Sequence, residues 1–231
     1  MKNGQRGVRI ISAWARNQVA GFAQIAFPSG HDTTRNIRSG VPIGPNLGVL
    51  PLGRPVDVQP QELLGITLGG SNVAGDVEQL SLLLRYDALP GIDQRLISES
   101  QLESRFETLC TIEHSAVSTA GPSYGTPTVI TTAADLLRAN RDYAILGATV
   151  RTACQSAYLI GPDTGNVRIG VPGDVLKPEL CGQWFMLMSR VTGQACIPVM
   201  SSGNKASTFC GVTADENAGT FLITWHLALL K

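Results

Sequence analysis

One segment of this chain is written twice. Gly161–Gly182, GPDTGNVRIGVPGDVLKPELCG, lies without a gap on Gly44–Gly65, GPNLGVLPLGRPVDVQPQELLG, when the sequence is shifted by 117 residues, and ten of the 22 positions are identical. Chance at an ordinary composition gives about one or two. The recurring residues are mostly those that bend a backbone: Gly takes unusual angles, Pro presets φ, and Asn or Asp caps its own turn. No His or Cys recurs at matched positions in the window. Gly44, Pro45, Gly48 and Gly53, with their counterparts Gly161, Pro162, Gly165 and Gly170, therefore read as repeated structural turns and not as a catalytic loop. A weaker echo, FETLCTIEHSAV (106–117) against GTFLITWHLALL (219–230), closes each half, and STAGPSYGTPT (118–128) between them has the composition of a linker. The expected organisation is an N-terminal arm (1–27), a first β unit (28–118), a linker (119–126) and a second β unit (127–231).

Most of the remaining pattern is short apolar runs closed by turn residues, which is how strands read. Expected strands are 63–70, 79–87, 108–117, 142–154, 156–161, 166–171, 183–192, 195–200 and 220–230. In 183–192, QWFMLMSRVT, strand alternation places Trp184, Met186 and Met188 on one face and Phe185, Leu187 and Ser189 on the other. Two segments suit helices: 131–140, with Thr132 as N-cap and Asp135 three residues on, and 93–106, which brings Leu96, Ile97, Ser100 and Leu102 towards one face. The class expected is mainly β, sandwich or jelly-roll-like, in two tandem related units with short connecting helices.

Charge separates along the chain although its formal sum is zero. Residues 1–56 carry seven basic side chains against one acid, Asp32, a net of +6, and the rest carries 11 basic and 17 acidic, a net of −6. The start, MKNGQRGVRIISAWARNQVAGFAQIAF, has the Arg-rich, acid-free look of a transit peptide, yet reads as a retained arm. It is a poor secretory signal because Arg9 and Arg16 interrupt the apolar run. It suits a helix over 8–27 or strands at GVRIIS and GFAQIAF. Its basic residues Lys2, Arg6, Arg9 and Arg16 are the candidate contacts to a neighbouring copy, to nucleic acid or to an anionic membrane.

Only 16% of residues are charged, against a usual quarter, while Gly numbers 25 and Pro 13. Such a surface is expected to be covered by other subunits. The five cysteines, 110, 154, 181, 196 and 210, form no C-x-x-C and sit in apolar stretches, so they read as buried free thiols in a reduced compartment. No run of 18 apolar residues predicts a transmembrane helix.

Motifs for chemistry are weak. GPSYG (121–125) matches G-x-S-x-G, but Pro122 and Pro127 leave no room for the helix that must follow a nucleophile elbow. Neither phosphate-binding glycine pattern occurs. His31 adjoins Asp32 in a loop-like stretch, whereas His114 and His226 fall in the two closing strands and read as a repeated structural place. Asp163, Asn166 and Asp174 lack the spacing of a calcium loop. No catalytic, cofactor-binding or metal-binding residue is assigned, and no small-molecule substrate is expected.

MKNGQRGVRIISAWAR as a basic arm, GPDTGNVRIGVPGD between strands, and WFMLMSRVTG followed by IPVMSSGNKAST together resemble the jelly-roll-type shell proteins of icosahedral viruses and phages. The resemblance implies a structural virion subunit, shell or decorating, that assembles in the host cytoplasm with copies of itself and other virion proteins and touches packaged nucleic acid or an internal membrane. PGD at 172–174 is also similar to the turns of cupins, which occur as duplicated barrels. That alternative implies an enzyme or binding module, but cupin metal sites use several His, and none lies in 161–182.

Overall fold

The computed structural model describes residues 8–17, 22–26, 37–38, 48–49, 56–58, 65–69, 78–86, 95–118, 124–130, 137–214 and 218–231. The chain forms two compact units, Met1–Leu89 and Pro90–Lys231. Among the described residues both are built of antiparallel strands, so the chain is mainly β.

In the first unit, β1 (Val8–Asn17) is the organising strand. It runs along β7 (Glu78–Tyr86) from Val8↔Tyr86 to Asn17↔Glu78, and also pairs with β4 (Gly48–Val49) and β5 (Val56–Val58). Ile10, Ile11, Ala13 and Trp14 are buried, so β1 is covered on both faces. The helical alternative for this segment loses for that reason: Val8, Ile10 and Ile11 are β-branched, and Ile10, Ser12 and Ala13 stand opposite Leu84, Leu83 and Leu82 across the ladder. A smaller sheet has the order β3-β2-β6, formed by β2 (Phe22–Ala26), β3 (Ile37–Arg38) and β6 (Gly65–Gly69).

The second unit opens with β8 (Leu96–Ile97), α1 (Glu99–Arg105) and the long β9 (Phe106–Ser118). β10 (Thr128–Val129), β11 (Asp142–Val150), β12 (Cys154–Ile160) and β13 (Ile169–Gly173) follow. Then come α2 (Pro178–Gly182), α3 (Trp184–Thr192), β14 (Ile197–Ser201), a 3-10 turn (Ser202–Ser207), β15 (Phe209–Thr213) and β16 (Gly219–Leu230). One sheet has the order β8-β14-β11-β16-β9, the other β10-β15-β12-β13. They pack face to face over Trp225, Leu159, Val171 and Ile223, and Trp225 Nε1 donates to Cys210 Sγ across the layer at 3.3 Å. All five cysteines are free; four are buried and Cys110 is half-buried.

Several expectations change. Residues 183–192 are not a strand: Trp184, Phe185, Met188 and Ser189 are buried at helical spacing, and Gly193, at φ 65°, ends α3 by donating its N–H to the Ser189 carbonyl. The helix expected over 93–106 is shorter, because Leu96 and Ile97 pair with Pro198 and Ile197. It starts at Ser98, whose Oγ accepts the Gln101 N–H while Gln101 Oε1 accepts the Ser98 N–H. Of the helix expected over 131–140, residues 131–136 lie outside the described residues, and 139–140 form a turn. The closing echoes, assigned to separate units, pair with each other: β9 runs antiparallel to β16 from Phe106↔Leu230 to Ser118↔Gly219. The units divide at Leu89/Pro90, so β8, α1 and β9 join the second.

Candidate functional site

Strand geometry separates the two histidines of the β9/β16 ladder. His114 stands opposite Ile223 and His226 opposite Thr111. Residues 114 and 111 are an odd number of steps apart, so the imidazoles lie on opposite faces of one sheet. His114 lies on the inner face, with Nε2 2.8 Å from Thr128 Oγ1; His226 lies on the outer face, with Nε2 3.1 Å from Thr149 Oγ1. Burial lowers the pKa of both, which favours the neutral ring.

The outer face is partly roofed by α2 and α3. Gly147 follows the irregularity in the β11/β16 register and is where α2 comes closest: a Cβ there would overlap the Cys181 carbonyl oxygen and lie 2.7 Å from the Gly182 carbonyl carbon. Gly182 in turn lies over His226, where a Cβ would stand 3.4 Å from ring atoms Cδ2 and Nε2. α3 is tied to α1: Glu99 N–H donates to Ser189 Oγ at 3.0 Å, Ser189 Oγ donates to the Gln194 carbonyl at 2.6 Å, and Arg190 pairs with Glu99. Where the roof stops, a groove of about 530 Å³ opens between the helices and β9. Leu109, Leu146 and Met186 supply aliphatic surface, and Thr111, Gln183 and His226 are its polar groups. Leu109 is 63% exposed. The groove's imidazole is held by the Thr149 hydroxyl, and the aliphatic surface around it suits apolar contact.

The turn-rich segment 161–182 is tied to the rest of its unit by side-chain hydrogen bonds. Asp163, buried at 6% exposure, receives the Ser201 N–H at 2.9 Å, Asn204 Nδ2 at 3.0 Å and Arg95 Nη1 at 3.4 Å. Arg95 also forms a two-pronged pair with Asp142, at 2.5 and 3.1 Å, and that hydrogen bond leads in raising its pKa. Thr164 Oγ1 accepts the Gly161 N–H, while Gly165 and Asn166 take positive φ. Asp174 Oδ1 accepts the Leu176 N–H at 2.8 Å. The carboxylates of Asp163 and Asp174, two of the three residues weighed for calcium, are thus engaged within the chain. Among the described residues no three His, Cys, Asp or Glu gather closely enough to hold a metal, and no helix is long and apolar enough to cross a membrane.

The sequence-assigned residues scatter. Gly161, Pro162 and Gly165 form the turn after β12, and Gly170 lies in β13. Gly48 opens β4 opposite Ala15. Where both copies of the repeat are described they share a state only at Val56 and Gly173, both strand. Elsewhere they differ: Gly48 and Val49 are strand while Gly165 and Asn166 are turn, and Gly65 opens a strand while Gly182 closes a helix. Arg9 and Arg16 lie in β1, with Arg9 half-buried. Lys2, Arg6, His31, Gly44, Pro45, Gly53 and Ser123 lie outside the described residues. Tyr124–Ile130, just after Ser123, contains no helix.

No protein-family model matches the chain, and no curated protein matches it. The groove residues went unassigned in the sequence because Leu109, Met186 and His226 come from three distant segments. Gly182 and Gly147 were the readable signals, as glycines inside otherwise apolar runs.

Proposed function

We propose that this chain is a structural, self-assembling virion protein, a capsid shell or capsid-decorating subunit, and not an enzyme. The observation that carries the reading is β9. It is a 13-residue edge strand whose only strand partner among the described residues is β16, and Phe106, Leu109 and Val117 on it are 40%, 63% and 58% exposed. A long edge with apolar side chains is a template for another chain, and a protein that works alone blunts such an edge. The low charge content favours the same reading.

A jelly-roll ancestry and a duplicated origin belong to this proposal; the paired antiparallel sheets support the first and the ten identities support the second. Its partners are copies of itself and other virion proteins, with Lys2, Arg6, Arg9 and Arg16 as candidate contacts to a neighbouring copy, to packaged nucleic acid or to an internal membrane, and its place is the virion. The cupin-like alternative needs histidines that converge on one pocket, and His114 and His226 face opposite ways.

Light scattering on the size-fractionated chain, with negative-stain microscopy, tests the proposal. Oligomers or particles that grow with concentration are expected. A monomer at every concentration, above all one that binds metal, overturns it.

A further inference from the structure

The second unit carries a projection that matches its own groove. Between β13 and α2, Val175 and Leu176 are 39% and 70% exposed. Their turn is held from inside: the buried Asp174 accepts the Leu176 N–H, the Cys181 thiol donates to the Asp174 carbonyl at 3.8 Å, and Pro178 opens α2. Single exposed leucines are ordinary. Two aliphatic side chains presented at the tip of a hydrogen-bonded turn, on a unit that also carries an open aliphatic groove, are a complementary pair.

Size, charge and spacing agree. A groove of about 530 Å³ has room for both side chains, and its wall residue Leu109 is itself exposed. Glu113 lies two residues along β9 from Thr111, on the same face, 58% exposed and 3.8 Å from the more exposed Arg151, and Lys177 directly follows Leu176. The projection and the groove are separated along the chain by α2 alone, a five-residue helix of about 7–8 Å. Two complementary features that close together are both satisfied at once by a two-fold axis between two copies.

We propose that the Val175–Leu176 turn of one copy enters the groove beside His226 of a second copy, and the reverse, in a two-fold dimer. This rests on the self-assembly reading and names its contact. The test uses the full chain as wild type, Leu176→Asp, Leu109→Lys and an equal mixture of the two variants, measured by sedimentation equilibrium with circular dichroism as the control for folding. Each variant alone has no intact contact and dimerises at least about tenfold more weakly than wild type. The mixture regains one native contact and, in the other, sets the introduced carboxylate against the introduced ammonium, so it associates at least about tenfold more tightly than either variant. Wild-type association that Leu176→Asp leaves untouched, or a mixture no tighter than its components, overturns this contact while self-assembly stands. A wild type that never associates removes both.

Discussion

His114 and His226 illustrate how much a single side chain's role depends on which way its strand faces. Both lie in similar strands, yet one closes the core against Thr128 and the other bears the groove against Thr149. Both have folded-state pKa values pushed below the usual value by burial. The unfolded chain therefore binds more protons in the window between the lowered values and the ordinary value of about 6.5. Stability is present above that window and is lost as pH falls through it. Thermal melts between about pH 7.5 and 5 are expected to show a falling midpoint, and His114→Gln, which keeps a partner for Thr128, to flatten the slope. A slope unchanged in that variant removes His114 as a source. The same scale settles the role of Asp163. Its turn was legible from GPDTG, but Arg95, Ser201 and Asn204 were not, because they arrive from 68, 38 and 41 residues away.

Among the elements, α3 is the instructive misreading. Trp184, Phe185 and Met188 fit a buried strand or a helix equally well as an apolar run, and the β-branched Val191 and Thr192 come only in the last turn. Gly193 was the discriminating residue, since its left-handed angle ends a helix without the Cβ penalty other residues carry. α2 is positioned by the absence of a side chain at Gly147. Gly147→Ala places a methyl group against the backbone of Cys181 and Gly182, which cannot move as a side-chain end can. The expected cost is about 1–3 kcal/mol in denaturant melts, with α2 displaced from the sheet. An alanine variant as stable as wild type contradicts that packing. By contrast, β9, β12 and β16 follow the sequence closely, because long apolar runs bounded by turns admit few other structures, while β11 ends at Val150 where a strand to 154 was expected.

For the whole molecule, the decisive contact is the one between β9 and β16. It joins strands more than 100 residues apart and draws β8, α1 and β9 into the second unit. That unit is also closed at its end, where the Lys231 N–H donates to the Arg105 carbonyl. A fragment of residues 90–231 is accordingly expected to unfold cooperatively, whereas one of 127–231, which lacks β9, leaves Trp225 and Ile223 uncovered along a new sheet edge and aggregates. Comparison of their denaturant transitions checks this. Equal cooperativity in the two fragments contradicts the division at Leu89/Pro90.

The amino-acid sequence alone determined the β character of this protein, the turn at Gly161–Asn166 and the free state of its thiols. These depend on neighbouring residues: the angles Gly and Pro permit, and the length of an apolar run before a turn. Tertiary structure decided which strands share a sheet, which face each histidine takes and where a groove is left open. Those follow from register, and in a strand one residue of register moves a side chain from the core to the surface.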